Sequence, residues 1–154
     1  MTTKRKLLLA CGNPLRGDDG VGGRIAEALE RDGGFSDLRI EVSHQFTPEL
    51  AECVRDAELV VFVDASALIA AGQIKLEQME VEGETARAFT HHLTPASLMA
   101  LTQALYSVQP KRAYALSVGA SNFELGQRLS ATVEGTIPEV VERLRVVFAE
   151  PLNG

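Results

Sequence analysis

Two short apolar runs, Leu7 to Cys11 and Leu59 to Val63, constrain the fold more than any other feature of the chain. Each has five residues, whereas a helix that crosses a membrane needs about twenty. A short run with no polar residue in it is typical of a strand that is buried on both faces, at the centre of a parallel sheet. Gly12 follows the first run and Asp64 follows the second. The two runs therefore predict the central strands of an α/β protein.

Segments of strand and helix type alternate along the rest of the chain. This alternation predicts a three-layer αβα sandwich with a mainly parallel, roughly five-stranded sheet. We expect one domain over residues 1–154, because the chain has the length of a single domain. After the first strand, the predicted elements are a helix from Val21, a strand over 38–42, a short helix from Thr47-Pro48, the strand over 59–63, an edge strand over 74–80, a helix from Thr94-Pro95, a strand over 112–118 and a helical stripe over 133–148.

Pro138 lies inside the last helical stripe. A proline within a helix removes a backbone donor, so it indicates either a kink or a helix that begins late. Thr136 and Glu139 have the spacing of a capping box, which favours a start near this point. The sequence leaves both alternatives open.

Composition narrows the classes of partner. The chain has 45% hydrophobic and 23% charged residues, as ordinary globular domains have. Fifteen basic and twenty-one acidic side chains give a net charge of −6, and there is no tryptophan. This balance argues against binding to nucleic acid or to an anionic membrane. The apolar run near the N terminus is too short for a signal peptide, and Cys11 and Cys53 form no CxxC motif, so we expect a cytoplasmic protein.

A glycine-rich loop, Gly12 to Gly23, separates the first strand from the first helix. It does not fit a dinucleotide-binding motif, because a GxGxxG pattern from Gly20 needs glycine where Ile25 stands. Asp18 and Asp19 would also repel phosphates at the helix N terminus. Acidic residues there can serve as helix caps. Two of them, between glycines that let a partner approach the backbone, favour a functional role.

Further polar residues follow strands at the same predicted edge of the sheet. Asp64 comes directly after the second buried run, where it serves either as a turn residue or as a functional carboxylate. His91 and His92 precede the helix from Thr94, and His44 follows the second strand. Ligands of open α/β sheets bind at the carboxyl ends of the strands. Two aspartates and an imidazole at that edge suit a divalent metal, whereas no GxSxG motif indicates a serine hydrolase.

These residues together resemble a known family. The run from Gly12 to Gly22 closely resembles the N-terminal signature of the NiFe-hydrogenase maturation endopeptidases, which process the C terminus of the hydrogenase large subunit. Asp64 in Val-Asp-Ala, the His-x-Leu segment at 91–93 and Val118-Gly119 follow in the family's order and spacing. The segment from His44 to Leu50 is similar to the form found in the subgroup that serves cytoplasmic, NAD-linked hydrogenases.

The resemblance implies a three-layer α/β fold and an activity. The enzyme removes the C-terminal tail of a hydrogenase large-subunit precursor after nickel has been inserted. The family binds a divalent metal through residues that correspond here to Asp19, Asp64 and His91, which we expect to be both the metal ligands and the catalytic residues. His91 is preferred to His92 because Leu93 then falls in the family's register. We expect the remaining polar residues of these loops to bind the precursor: Asn13, Asp18, His44, Gln45 and His92.

Three ligands leave positions open on a metal. We therefore expect the site to recognise the nickel that the precursor's cysteines hold, with no tightly bound catalytic metal of its own. Asp19 or Asp64 then acts as a base toward water, or the metal polarises the scissile carbonyl. The rival hypotheses are a nickel-binding maturation chaperone or checkpoint module without proteolysis, and a metal-dependent hydrolase of small molecules. We expect a monomer, since no exposed apolar stripe is left unassigned.

Overall fold

The computed structural model describes residues 5–80 and 93–152, which form a five-stranded sheet between two layers of helices. The sheet order is β2-β1-β3-β5-β4, and only β4 runs antiparallel to its neighbour. The predicted αβα sandwich with a mainly parallel sheet is confirmed. In chain order the elements are β1 (Lys6–Cys11), α1 (Val21–Asp32), β2 (Leu38–Ser43), α2 (Ala51–Arg55), β3 (Leu59–Ser66), β4 (Ile74–Met79), α3 (Pro95–Tyr106), β5 (Arg112–Gly119), α4 (Ala131–Glu134) and α5 (Ile137–Phe148).

Alternation along the strands divides the core into two clusters, one on each face of the sheet. In β1, Leu8 and Ala10 join the cluster beneath α1 and α5, whereas Leu7, Leu9 and Cys11 join the one beneath α2 and α3. Successive side chains of a strand point to opposite faces, so both faces of the central strands must be apolar. That requirement explains the unbroken apolar runs in the sequence.

The carboxyl ends of β1 and β3 lie side by side, because these strands pair in parallel with Ala10 beside Val63. β2 flanks β1 on its other side, so the chain order reverses at β1. Such a reversal opens a crevice at the carboxyl ends of the strands. Of the helices in the described residues, none is long and apolar enough to cross a membrane.

Two details of the predicted elements are wrong. β3 continues to Ser66 because its last residues pair with β5, so Asp64 lies within the strand and not after it. The expected capping box at Thr136 does not form: α4 ends at Glu134, α5 begins at Ile137, and the Thr136 hydroxyl donates to the Val133 carbonyl at 2.6 Å. The structure therefore resolves the alternatives for Pro138 in favour of a late start, without a kink.

The two predicted Thr-Pro helix starts differ in their caps. The Thr94 hydroxyl oxygen accepts a hydrogen bond from the Ser97 amide at 3.1 Å, as an N-cap does. The side chain of Thr47 makes no such bond, and a 3-10 turn from Pro48 to Leu50 precedes α2. The first start therefore depends on the proline and on packing, whereas the second also has a capping hydrogen bond.

Candidate active site

Asp64 is a half-buried carboxylate near the carboxyl end of β3. It lies opposite Ser117 in the pairing of β3 with β5, and its Oδ1 accepts a long hydrogen bond of 3.4 Å from the Ser117 hydroxyl. Burial raises the pKa of Asp64 to about 6; the Ser117 hydroxyl opposes the rise and the nearby Asp19 carboxylate adds to it. Asp64 is therefore held where its charged form is disfavoured.

Asp19 reaches the same place from the glycine-rich loop. Its Oδ2 accepts a hydrogen bond from the Asn13 amide at 2.7 Å, which closes the loop on itself. Gly12 makes that closure possible: its φ is +145°, and a Cβ there would lie 1.9 Å from the Asp19 carbonyl oxygen. The glycines were expected to let a partner approach the backbone. At Gly12 the close approach is instead made by the backbone of the same loop.

Cys11 is the third titratable group at this point. Its thiol is buried at the end of β1 in the α2–α3 core cluster. Desolvation raises the pKa of Cys11 to about 12, and the Asp64 and Asp19 carboxylates add to the rise. A thiol that stays protonated beside two carboxylates is neither a nucleophile nor a ready metal ligand. Cys11 therefore serves as a small apolar residue, as expected for a buried cysteine.

The neighbouring Asp18 carboxylate is enclosed by protein donors. Asp18 is 0% exposed, and it is the one charged residue buried within ranges 5–80 and 93–152. Its carboxylate oxygens accept hydrogen bonds from the amides of Ser121, Asn122 and Ser130 at 2.7–3.1 Å, and from the Ser130 hydroxyl at 3.1 Å. Its own amide donates to the Asn122 carbonyl at 2.7 Å. This set of contacts, named here the Asp18 clamp, ties the glycine-rich loop to residues 121–130.

The electrostatics of the Asp18 clamp favour the charged carboxylate. Desolvation by burial acts to raise the pKa of Asp18, but the hydrogen bonds from Ser130, Ser121 and Asn122 outweigh it, and the pKa is lowered. The predicted contact between Asp18 and a substrate stays a prediction. Among the described residues, the Asp18 carboxylate oxygens accept hydrogen bonds from Ser121, Asn122 and Ser130.

Three further predicted substrate-binding residues, Asn13, His44 and Gln45, follow the carboxyl ends of β1 and β2. The Asn13 Oδ1 accepts a hydrogen bond from the Leu15 amide at 2.9 Å, so this side chain shapes the loop. His44 and Gln45 are exposed just beyond β2. Phe46 follows them and is buried with its ring edge-on to Phe62, 5.7 Å between centroids. Phe46 thus anchors this segment and leaves the two polar side chains free at the surface.

His91 and His92 lie outside the described residues, so their predicted roles stay predictions. Leu93, the next residue along the chain, is buried in the same core cluster as Cys11. That cluster lies on the face of the sheet that carries α2 and α3. Leu93, the first described residue after the histidines, therefore lies on the same face of the sheet as Asp64.

Asp19 and Asp64 are the described residues of this site that could contribute to holding a cation. Three residues of the metal-ligating types do not cluster anywhere in the described part of the chain. Neither Asp19 nor Asp64 forms an ion pair with a described basic side chain. Burial, and to a smaller extent repulsion by Asp19, raise the pKa of Asp64, and a divalent cation between the two carboxylates would offset both effects. The two carboxylates therefore fit a metal, with at least one ligand to come from elsewhere.

The sequence did not identify the residues that support these carboxylates. Ser117, Ser121 and Ser130 are 53, 103 and 112 positions away from their aspartate partners. They stand in no motif with those aspartates, so the only available signal was their placement near the carboxyl end of a predicted strand. The fold is needed to show which serine meets which aspartate.

Comparison with known proteins places this site in context. No protein-family model matches the chain, and no curated protein sequence does. Among solved structures, the hydrogenase maturating endopeptidase HybD from E. coli matches with 26% identity and a TM-score of 0.74, over 94% of this chain and 92% of that one. A second endopeptidase from Escherichia coli has 25% identity and a TM-score of 0.71, over 91% and 89%. The fold of a hydrogenase 2 maturation peptidase from a Thaumarchaeota archaeon matches with 24% identity and a TM-score of 0.73, over 95% and 99%.

The fold and the crevice define a class: an αβα protein with carboxylates at the ends of two central strands. Its solved relatives share the architecture along nearly their whole length. At 26% identity over nearly the whole of both chains, this chain is similar to a hydrogenase maturating endopeptidase. The resemblance seen in the sequence is confirmed.

The Asp18 clamp predicts a pH-dependent contribution to stability. Asp18→Asn keeps the size of the side chain, but its amide group meets amide donors and the charge is lost. We expect the free energy of unfolding at pH 7 to fall by about 2–4 kcal/mol, measured by urea denaturation. The lowered pKa of Asp18 makes the charged form stabilising, so wild type keeps this advantage above about pH 5 and loses it as the pH falls below about 4.

The matched control for Asp18→Asn is Asp56→Asn. Asp56 is exposed and pairs only with its neighbour Arg55 within the described chain, so its change should alter stability by less than about 0.5 kcal/mol. Equal stability of Asp18→Asn and Asp56→Asn at pH 7 would show that the Asp18 clamp does not stabilise the fold.

Asp64→Asn is expected to have the opposite effect on stability. The folded state raises the pKa of Asp64 to about 6, so metal-free wild type loses stability as the pH rises from about 4 to about 6 and the group ionises. The neutral amide avoids that loss. We expect Asp64→Asn to be more stable by on the order of 1–2 kcal/mol at pH 8 and equal to wild type near pH 4, in denaturation with chelator present. If Asp64→Asn were less stable than wild type at pH 8, the ionised Asp64 carboxylate would not be destabilising the folded state.

Proposed function

We propose that this chain is the endopeptidase that removes the C-terminal extension of a NiFe-hydrogenase large-subunit precursor after nickel insertion. The observation that carries the proposal is the pair Asp19 and Asp64, which converge at the ends of β1 and β3 without a described cation partner. The supporting comparison is with relatives whose names state hydrogenase maturation and endopeptidase activity. A protease of this kind acts on a protein, so its site must lie at an open edge, as this crevice does.

We propose that the metal arrives with the substrate. The two carboxylates and His91 supply oxygen and nitrogen ligands, whereas cysteine thiolates are softer ligands that bind nickel more strongly. A precursor that holds nickel through cysteines therefore keeps it, and the enzyme adds contacts to the open positions. Asp19 and Asp64 then distinguish a loaded precursor from an empty one, and the scissile bond is held beside them.

The hydrolytic step needs a base near the scissile carbonyl. Asp64, with a pKa of about 6, lies close to the range in which a carboxylate both accepts a proton from water and is largely ionised at neutral pH. The water oxygen bonds to the carbonyl carbon, and its proton goes to the carboxylate. The bond between that carbon and the amide nitrogen then breaks, and the nitrogen takes the proton back from the carboxyl group as it leaves. Asp19 is the alternative base, and polarisation of the carbonyl by the substrate's nickel is the alternative activation.

The segment around His44 and Gln45 is suited to contact with the precursor. Both side chains are exposed at the carboxyl end of β2, and the buried Phe46 fixes the backbone next to them. We propose that they, together with Asn13, determine which precursor is accepted. We place the reaction in the cytoplasm and the enzyme as a monomer; the free thiols of Cys11 and Cys53 agree with a reducing compartment.

The first test is the metal dependence of cleavage. A chelator-washed enzyme should process nickel-loaded precursor in buffer without added metal, and should leave nickel-free precursor intact, with the loss of the tail followed by mass spectrometry. Asp19→Ala and Asp64→Asn should each reduce the rate by at least about 100-fold, because each removes an anion from the site. Asp56→Ala, an exposed aspartate elsewhere, should process at the wild-type rate.

Two outcomes would contradict this proposal in different ways. If washed enzyme needs added zinc or nickel although the precursor is loaded, the enzyme carries its own metal as an ordinary metallopeptidase does. If loaded precursor binds but keeps its full mass, the protein is a checkpoint module without proteolysis.

The adjacent histidines give a second test. We expect His91→Ala to lower the processing rate by at least about 100-fold and His92→Ala to lower it by less than about 10-fold. The prediction applies to an extended backbone, in which successive side chains point in opposite directions and only one of the two rings can meet the carboxylates. Single-turnover processing of loaded precursor measures both variants, and each is the other's control. If His92→Ala is the inactive variant, the metal assignment moves by one residue.

A further inference from the structure

Asp64 and Ser117 lie side by side on one face of the sheet. They are Cα partners in the parallel pairing of β3 with β5. Phe62, two residues before Asp64, and Ala113, four residues before Ser117, belong to the core cluster beneath α2 and α3. Side chains two or four positions apart on a strand point to the same face. Asp64 and Ser117 therefore both face the layer of α2 and α3, near the carboxyl ends of their strands.

The Ser117 hydroxyl is the one hydrogen-bond donor that the described residues give to the Asp64 carboxylate. It donates to Oδ1 at 3.4 Å, and Oδ2 accepts no hydrogen bond from residues 5–80 or 93–152. Hydrogen bonds of active sites are often long in the free enzyme and shorten when the substrate binds. The contact is therefore suited to hold one oxygen of Asp64 and to leave the other available.

Ser117 has a second neighbour in the sheet that does not compete for its hydroxyl. This neighbour is Lys75, the Cα partner of Ser117 in the antiparallel pairing with β4. The Lys75 ammonium group pairs instead with Glu77 at 3.4 Å, and both of these side chains are more than half exposed. A serine hydroxyl rotates toward the acceptor that is present. Among the described residues, that acceptor is Asp64.

Asp19 shows the same arrangement in the glycine-rich loop. Its Oδ2 accepts the Asn13 amide at 2.7 Å, and the described part of the chain gives its Oδ1 no donor. Each carboxylate of the pair is thus held by one oxygen and has one oxygen available. The backbone holds Asp19, whereas a side chain holds Asp64. A substitution of Ser117 therefore removes the contact with Asp64 and keeps every backbone group in place.

The orientation of an aspartate is not set by its backbone alone. Rotation about χ1 has three staggered minima, and rotation of the carboxylate about χ2 is broad. A carboxylate that binds a metal acts through the direction of its oxygens, and outer residues that fix this direction matter nearly as much as the ligands. For Asp64 the contact with Ser117 selects one orientation.

We propose that Ser117 is a positioning residue of the active site, which holds Asp64 Oδ1 so that Oδ2 is the oxygen presented to the substrate. The inference rests on the proposed function and adds a residue of β5 to a site otherwise built at the ends of β1 and β3. It holds whether Asp64 contacts the precursor's nickel or accepts a proton from water, because both tasks need a directed oxygen.

The test compares two variants of the same size, Ser117→Thr and Ser117→Val. Threonine keeps the hydroxyl, valine replaces it with a methyl group, and both side chains suit a strand. Ser36→Ala is the control for loss of a serine hydroxyl elsewhere, because Ser36 is exposed before β2, at the opposite end of the sheet. The measurements are single-turnover processing of nickel-loaded precursor at saturating enzyme, and a crystal structure of each Ser117 variant. Thermal unfolding verifies that all variants are folded at the assay temperature.

We expect Ser117→Thr to process within about 3-fold of the wild-type rate and Ser117→Val to be at least about 10-fold slower. Ser36→Ala should match wild type. In the crystals, Asp64 should keep its orientation beside threonine and should turn, or occupy more than one conformer, beside valine. Equal rates for Ser117→Thr and Ser117→Val, or an unchanged Asp64 beside valine, would overturn the inference. If Asp64 turns beside valine but wild type leaves loaded precursor uncut, the proposed function alone is overturned.

Discussion

The structure of the candidate active site depends on one buried carboxylate. Asp18 accepts hydrogen bonds from Ser121, Asn122 and Ser130, and so fixes the glycine-rich loop against the chain that follows β5. Burying a charge is costly unless donors surround it, and this clamp supplies enough of them to keep the pKa below its ordinary value. Asp19 is the next residue, so the position of the site carboxylate follows from that of its neighbour.

Asp64 shows the opposite use of burial. It receives only a long hydrogen bond from Ser117, and its pKa rises toward neutrality because of desolvation and of the Asp19 carboxylate. Adjacent aspartates thus have different tasks: Asp18 is satisfied and stabilises the fold, whereas Asp19 with Asp64 forms a pair without a counter-charge among the described residues. Such a pair lowers stability in the absence of a cation, which is the compromise that functional sites commonly make.

The sequence predicted the features that depend on local pattern and covalent order. Apolar runs located β1 and β3, and the Thr94-Pro95 start of α3 has the capping bond that its residues suggest. Because parallel strands end at one edge, the sequence also placed Asp19 and Asp64 at that edge. It could not show that Asp64 lies inside β3, since the end of a strand depends on its neighbour β5. The resemblance separated Asp19, as a metal ligand, from Asp18, but the sequence could not show that Asp18 is enclosed by protein donors, because these donors lie more than 100 positions away.

We propose that the carboxylates of the enzyme contact the nickel carried by the precursor, and X-ray absorption at the nickel edge tests this contact most directly. A loaded precursor whose scissile residues are replaced to prevent cleavage would be measured alone, with the wild-type protein and with Asp19→Ala. We expect wild type to add oxygen or nitrogen ligands to the sulfur ligands of the nickel, and Asp19→Ala to add fewer. A nickel coordination shell that stays the same in all three samples, although the proteins form a complex, would contradict it.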